Sequence, residues 1–243
     1  MKHIVLVFLG LCFLSCGTFK SEENWATDTV EDIDGNIYKS LKIGSQLWMA
    51  ENLRVTRYNN GDSLLNFTRG TFEFIGDSLG AYTNQGLNQE IIERFGLLYN
   101  WLAVDDPRGL CPVGWKVPSD EDWMVLERNV MDIKRRELEL TGWRGSGAGR
   151  LKEKDTLSWR HPNIGANNAS GFTARAGGYA MGVSYNHLYN IGCWWTSTVH
   201  QEEQEPHRHK TAYNRELNFY NDRMSRFYKF TFTAMSVRCV KDE

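Results

Sequence analysis

An apolar run from Ile4 to Leu14, preceded by Lys2 and followed by Ser15-Cys16-Gly17, decides the environment in which the rest of the chain must fold. The run is far shorter than the roughly 20 apolar residues that span a bilayer, so it reads as the core of a signal peptide over residues 1–15. Phe13-Leu14-Ser15 resembles a relaxed lipobox, in which a small residue precedes a cysteine that is acylated and becomes the new N-terminus. Ordinary secretory cleavage nearby is the weaker fit, because it leaves the placement of Cys16 unexplained. At about 0.8 kcal/mol per buried CH₂, a multiply acylated cysteine holds a protein at a membrane without any spanning segment. Residues 16–29 then form a lipidated tether, and the folded part begins at residue 30.

Export places the chain where disulfides form. Cys12 leaves with the signal and Cys16 is acylated, so Cys111, Cys193 and Cys239 remain: one bridge and one cysteine left over. No CxxC pair and no Cys/His set at zinc spacing is present. Removing Lys2 from 28 basic residues leaves 27 against 30 acidic ones, net −3. With no basic cluster carrying interleaved aromatics, nucleic acid is excluded as a partner. Nine Trp, ten Tyr and twelve Phe are enough to build a core and still leave rings for a binding surface.

Asp34-Gly35 is a two-residue hairpin signal and Gly44-Ser45 a second turn, with short strands expected at residues 37–43 and 46–50. Residues 55–90 are polar and turn-rich and read as an elaborated loop region. Residues 96–103 are apolar and fit either a short helix or a buried strand. The clearest helix start is Pro118-Ser119-Asp120-Glu121-Asp122-Trp123, where Ser119 can cap and three acids meet the positive end of the helix dipole. Trp123, Leu126 and Val130 then share one face. A second helix is expected over residues 131–140. Beyond it the chain turns glycine-rich, with short strands at 171–175, 192–198, 217–220, 225–232 and 235–240. The expected class is α+β, with helices in the middle and antiparallel strands around them.

Several stretches, taken in order, resemble the Fibrobacter succinogenes major paralogous domain, a family of secreted modules. They are DGNIY (34–38), QLWMAENL (46–53), LYNW (98–101), CPVGWKVPSDEDW (111–123), SGFTA (170–174), GGY (177–179), WWTST (194–198) and SVRCV (236–240). The resemblance runs over residues 30–241. More remotely, the helix start, the Trp-Trp strand and the Val-Arg-Cys end resemble the C-type-lectin-like fold, which also carries the formylglycine-generating enzymes. It implies a small twisted antiparallel sheet with two flanking helices and long loops. It also implies a bridge between Cys111 and Cys239, worth roughly 4–5 kcal/mol on the chain-entropy account for so long a loop. Lys20-Ser21-Glu22-Glu23 similarly resembles the acidic export signals of Bacteroidetes-type surface lipoproteins.

The chemistry-bearing motifs mostly have plain explanations. Formylglycine-generating relatives use paired thiols to hold copper; with Cys239 bridged, Cys193 has no partner thiol and is read as a buried structural cysteine. Residues 145–149 (GSGAG) lack the Lys-Ser/Thr of a phosphate loop and are read as a flexible loop. His200, His207 and His209 stand in a mixed-charge run that fits a solvated loop better than a metal site. The acid pairs Asp105-Asp106, Asp120/Asp122 and Glu202-Glu203 are turn, helix-start and loop acids. Glu205-Pro206-His207 and Trp195-Thr196-Ser197 do not supply the ligands of a calcium-dependent lectin. No catalytic set, cofactor motif or metal site is recognised.

The expectation is therefore a cell-envelope lipoprotein, anchored to the outer membrane by its N-terminal lipid on the surface or periplasmic side. Its domain is expected to be a non-enzymatic module for a glycan or a secreted protein, reading its ligand through loops 55–90, 142–170 and 199–214. An altered formylglycine-generating-like enzyme and a structural envelope protein are the alternatives. Trp194 and Trp195 are consecutive in a strand and so face opposite ways. Either both enter the core, or one forms a ligand platform with Trp101 or Tyr179 as neighbours. Thr29, Ser63, Ser78 and Thr156 each sit in an Asp-(Ser/Thr)-aliphatic triplet, resembling the O-glycosylation acceptor of Bacteroidetes, although Asp-Ser and Asp-Thr are also ordinary turn chemistry. The anchor is directly testable: Cys16→Ser is expected to move the protein from the membrane fraction to the soluble one, and unchanged partitioning would remove the lipid.

Overall fold

The structure is a computed structural model that describes residues 28–67, 79–84, 88–182, 184–201 and 210–242. The signal segment, Cys16, Ser78, His207 and His209 lie outside these residues. β1 (Asp28–Glu31) begins two residues inside the stretch expected to be tether; the turns foreseen at Asp34-Gly35 and Gly44-Ser45 and the two strands foreseen after them are present as β2 (Ile37–Ile43) and β3 (Gln46–Met49). The chain's last strand, β14 (Val240–Lys241), returns to lie between β3 and β7 (Trp115–Lys116), closing a five-stranded sheet β1-β2-β3-β14-β7. A four-stranded antiparallel sheet β11-β12-β13-β8 is built from β11 (Ile191–Gln201), β12 (Thr211–Asn218), β13 (Met224–Phe230) and β8 (Gly142–Arg144). Two small sheets complete the described strands: β4 (Leu65–Asn66), β5 (Ala81–Thr83) and β6 (Leu98–Tyr99), and the pair β9 (Tyr179–Met181) and β10 (Ser184–Asn186).

This corrects the α+β expectation. Strands dominate, and the helices among the described residues are short: α1 (Gln89–Phe95), α2 (Trp101–Val104) and α3 (Asp120–Val130). A small sheet with two flanking helices is not what forms. The helix expected over 131–140 is replaced by extended backbone at Met131 and a single 3₁₀ turn, Arg135–Glu137. Asp132 instead exchanges backbone hydrogen bonds with Ser146 in both directions (2.9 and 3.1 Å), and this tertiary pairing overrides the local helix propensity of a Lys/Arg/Glu-rich run. Residues 171–175 also fail to form a strand; Ala174 makes only an isolated bridge with Lys152. The ambiguous stretch 96–103 is both things in turn, a two-residue strand and then α2, divided by Asn100, whose side chain caps the helix at Ala103 N.

α3 begins as its sequence requires. Ser119 Oγ accepts from Asp122 N (3.1 Å) while the Asp122 carboxylate accepts from Ser119 N (2.8 Å), satisfying two amides reciprocally. Its Trp123, Leu126 and Val130 enter a core with Trp48, Phe172 and Trp194. The rings there meet edge to face or tilted, at 5.1–6.4 Å. A second core, on the other side of β11, gathers Tyr38, Tyr99, Trp101, Cys193, Trp195 and the bridged pair Cys111–Cys239. That bridge, the one implied by the resemblance, ties the stretch before β7 to the end of the chain.

The register of the four-stranded sheet creates an electrostatic problem that α3 answers. Arg215 on β12 stands directly opposite Arg226 on β13, and Arg144 on β8 is close by. Like charges opposed across a sheet repel. Two carboxylates on α3 reach in: Glu127 accepts from Arg144 (2.6 Å) and Arg215 (2.6 Å), and Asp120 from Arg215 (2.7 Å) and Arg226 (2.7 Å). All five side chains are buried. Burial raises the Asp120 pKa, but the hydrogen bonds and charge of Arg226 and Arg215 outweigh it and leave the carboxyl below its usual 3.8. Because the folded value is the lower one, Asp120 stabilises the fold above the unfolded pKa, and that contribution is lost as pH falls through the folded value. Asp120→Asn is expected to cost about 3 kcal/mol at neutral pH and to flatten the loss of melting temperature below about pH 4. An unchanged acid limb in calorimetric scans would show that another carboxylate sets it.

Candidate functional site

The aromatic residues singled out in the sequence do not form a platform. Trp101, Trp194 and Trp195 are each fully buried, and Tyr179 is half-buried. Each indole N–H is satisfied inside: Trp101 by Thr196 O, Trp194 by Asn52 Oδ1 and Trp195 by Tyr99 O, all at 2.9 Å. The alternation of β11 does send Trp194 and Trp195 to opposite faces, but each face is a core. No ring face of these three indoles is left for a ligand.

The motifs that carry the family resemblance meet in a polar knot rather than at a reactive centre. Arg238 of the Ser-Val-Arg-Cys stretch is buried and donates Nε and Nη2 to Asn52 Oδ1 (3.1 and 2.8 Å). It also donates to the carbonyls of Phe172 and Thr173. Asn52 in turn donates to Phe95 O (2.8 Å) and Ser236 Oγ (3.3 Å). Burial pulls the Arg238 guanidinium down to about 9.

Other sequence features are absorbed in the same way. The glycine-rich loop is an anion cradle filled by the chain itself: the amides of Gly147 and Gly149 donate to the Asp222 carboxylate. A Cβ on Gly149 would lie 2.1 Å from Gly165 O, so the tight approach requires glycine there. Lys152 lies buried with its ammonium donating to the carbonyls of Ile164, Asn218 and Asn221 (2.6–3.1 Å), which pins the 142–170 region internally. Cys193 is buried in the second core, and burial pushes its thiol pKa well up, away from the thiolate that nucleophilic or metal chemistry needs. His200 stacks on Tyr228 at 3.7 Å. Among the described residues no group of three His, Cys, Asp or Glu side chains is placed to hold a metal ion. Also among them, no helix is long and apolar enough to cross a membrane. Thr29, Ser63 and Thr156 are exposed; Asp155 accepts from Leu157 N and Ser158 N, an ordinary turn.

Among the described residues, an open groove lies beside the N-terminal hairpin. One hollow of about 490 Å³ lies between the β1–β2 turn (Asp34, Asn36), the segment 54–57, the end of β5 (Tyr82, Asn84) and α1 (Gln89, Ile92). A second, of about 360 Å³, shares Asn36, Arg54 and Gln89 and adds Ile37, Glu51, Glu93 and Arg175. The two run together as one open cleft. Its walls are tied by Asp34, which accepts from Thr56 N (2.5 Å), Thr56 Oγ1 (2.8 Å) and Arg57 Nε (2.6 Å). Burial raises the Asp34 pKa, and those bonds more than reverse it, leaving the carboxyl lowered and ionised. At the far end Arg175 is clamped by Glu153 (2.8 Å) and by the carbonyl of Arg94. The stretch 55–90 read as a loop region holds β4, β5 and the start of α1 among its described residues; Thr56, Arg57, Tyr82, Asn84 and Gln89 from it line this cleft, and Arg54, Tyr82 and Gln89 carry no spacing signal that marks them in the sequence.

Residues 41–241 match the family model described as the Fibrobacter succinogenes major domain. No curated protein and no solved structure matches the chain. The burial of the paired indoles has an energetic consequence. Trp194→Ala and Trp195→Ala are each expected to lose about 3–5 kcal/mol in denaturant unfolding; a near-wild-type value for either would put that ring at the surface.

Proposed function

The chain belongs to the Fibrobacter succinogenes major domain family, and on that premise we propose that it is a cell-envelope lipoprotein whose domain is a non-enzymatic glycan-binding module. The glycan lies in the cleft between the β1–β2 turn and α1. The observation that carries this reading is the character of the lining. It is an open groove, not an enclosed pocket, with planar hydrogen-bonding side chains (Asn36, Asn84, Gln89), one half-buried tyrosine (Tyr82) and charges of both signs. Ligand sites of several hundred Å³ with a few directed polar groups are of ordinary size for a small molecule or a few sugar units.

The N-terminal apolar run from Ile4 to Leu14, with Cys16 two residues after it, supports the envelope location and the lipid anchor. Against an enzyme of the formylglycine-generating type stands the thiol arrangement: Cys111 and Cys239 are bridged, and Cys193 is buried with a raised pKa. A glycan and secreted-protein screen with the full-length protein in detergent is expected to return a saccharide. Gln89→Ala, at an exposed position, should weaken its binding about tenfold, which corresponds to about 1.4 kcal/mol, without moving the melting temperature. Retention of a secreted protein with no saccharide bound would overturn the glycan reading.

A further inference from the structure

Arg54 occupies the junction of the two hollows and is the lining guanidinium whose charge is not already met. Arg57 is paired with Asp34 (2.6 Å), and Arg175 with Glu153 (2.8 Å). Among the described residues Arg54 has no carboxylate in ion-pair contact; its guanidinium donates once, from Nη2 to Ile37 O at 3.2 Å. It is nonetheless held firmly. Its backbone N–H donates to Tyr38 Oη (3.0 Å), and that hydroxyl donates to Asp32 (2.6 Å). The guanidinium carbon then lies 4.6 Å from the centre of the Tyr38 ring. A planar cation fixed on an aromatic face, with most of its donors unspent and bordering an open cleft, is prepared for a ligand.

We infer that the glycan taken by this cleft bears an isolated carboxylate, as a uronic acid among neutral sugars does, and that Arg54 receives it. The inference rests on the glycan reading given above. The planar fork of a guanidinium matches a carboxylate with two parallel hydrogen bonds. The neighbouring acids restrict the ligand further. Glu51 and Glu93 line the second hollow, where Glu51 accepts from Lys39 N (2.8 Å) and Glu93 from Gln89 (3.2 Å). Both carboxylates can accept from sugar hydroxyls and both repel a chain that is anionic at every unit. One carboxylate flanked by hydroxyls satisfies all three groups.

The test compares two oligosaccharides of equal length by calorimetric titration of the full-length protein. One alternates uronic acid with a neutral sugar; the other is the same chain after carboxyl reduction to the alcohol. The acidic probe is expected to bind about tenfold tighter, and Arg54→Gln is expected to erase that preference. Arg54→Lys keeps the charge but loses the fork and should keep only part of the preference, so it carries the test if the glutamine variant does not fold. Equal binding of the two probes, or a preference that survives either variant unchanged, overturns the inference. If the reduced probe binds as well as the acidic one and Gln89→Ala weakens both, the glycan reading stands and the carboxylate falls. If neither probe binds, both fall.

Discussion

A guanidinium buried without a carboxylate must find its hydrogen bonds in whatever backbone and amide groups surround it, and Arg238 does so where four stretches of chain meet. Its partners are Asn52 from the segment after β3 and the carbonyls of Phe172 and Thr173; through Asn52 it is joined to Trp194 on β11 and to the end of α1 at Phe95. Next to it in sequence, Cys239 is covalently tied to Cys111. Leaving a buried charge without these partners would cost several kcal/mol, so the segments are held in one mutual arrangement. The residues that most resemble a family signature are therefore those that hold the fold closed.

The same logic, with the opposite chemistry, governs the other half. Arg215, Arg226 and Arg144 are brought together by strand register, and Glu127 and Asp120 from α3 give each of them an ion-pair partner. Here charge is buried as a network, which stabilises little relative to apolar packing but is costly to break on one side. The network fixes how α3 sits on the sheet, and with it the aromatic core of Trp48, Trp123, Phe172 and Trp194. Polar interiors of both kinds consume side chains that would otherwise invite a catalytic reading, as Asp222 consumes the glycine-loop amides.

Against that background the cleft beside the N-terminal hairpin differs in kind. Tyr38 links it to the interior: the ring packs in the second core, its hydroxyl bonds Asp32, and its face carries Arg54. A rigid interior thus ends in a guanidinium with unspent donors, and rigidity of that kind lowers the entropy a ligand must overcome.

Much of the local structure was legible in the residues themselves. Asp34-Gly35 and Gly44-Ser45 demand turns, the β2 and β3 strands follow, and Ser119 with Asp122 starts α3, because these preferences act over a few bonds. What the sequence could not carry was set by contacts between distant segments. Asp132 pairs with Ser146 and abolishes a helix that the local composition favours. Trp194 and Trp195 alternate as a strand requires, yet both are buried because a core lies on each side of β11. Asp120 reads as a helix-start acid but turns inward to two arginines that register alone places. The cleft is the same case: Asp34, Arg54, Tyr82 and Gln89 stand apart in sequence, and only the closure of the hairpin against α1 and β5 makes them neighbours. Hairpins, caps and the cysteine inventory belong to the sequence; burial, charge pairing and the cleft belong to the tertiary structure, because each depends on which distant groups share a face.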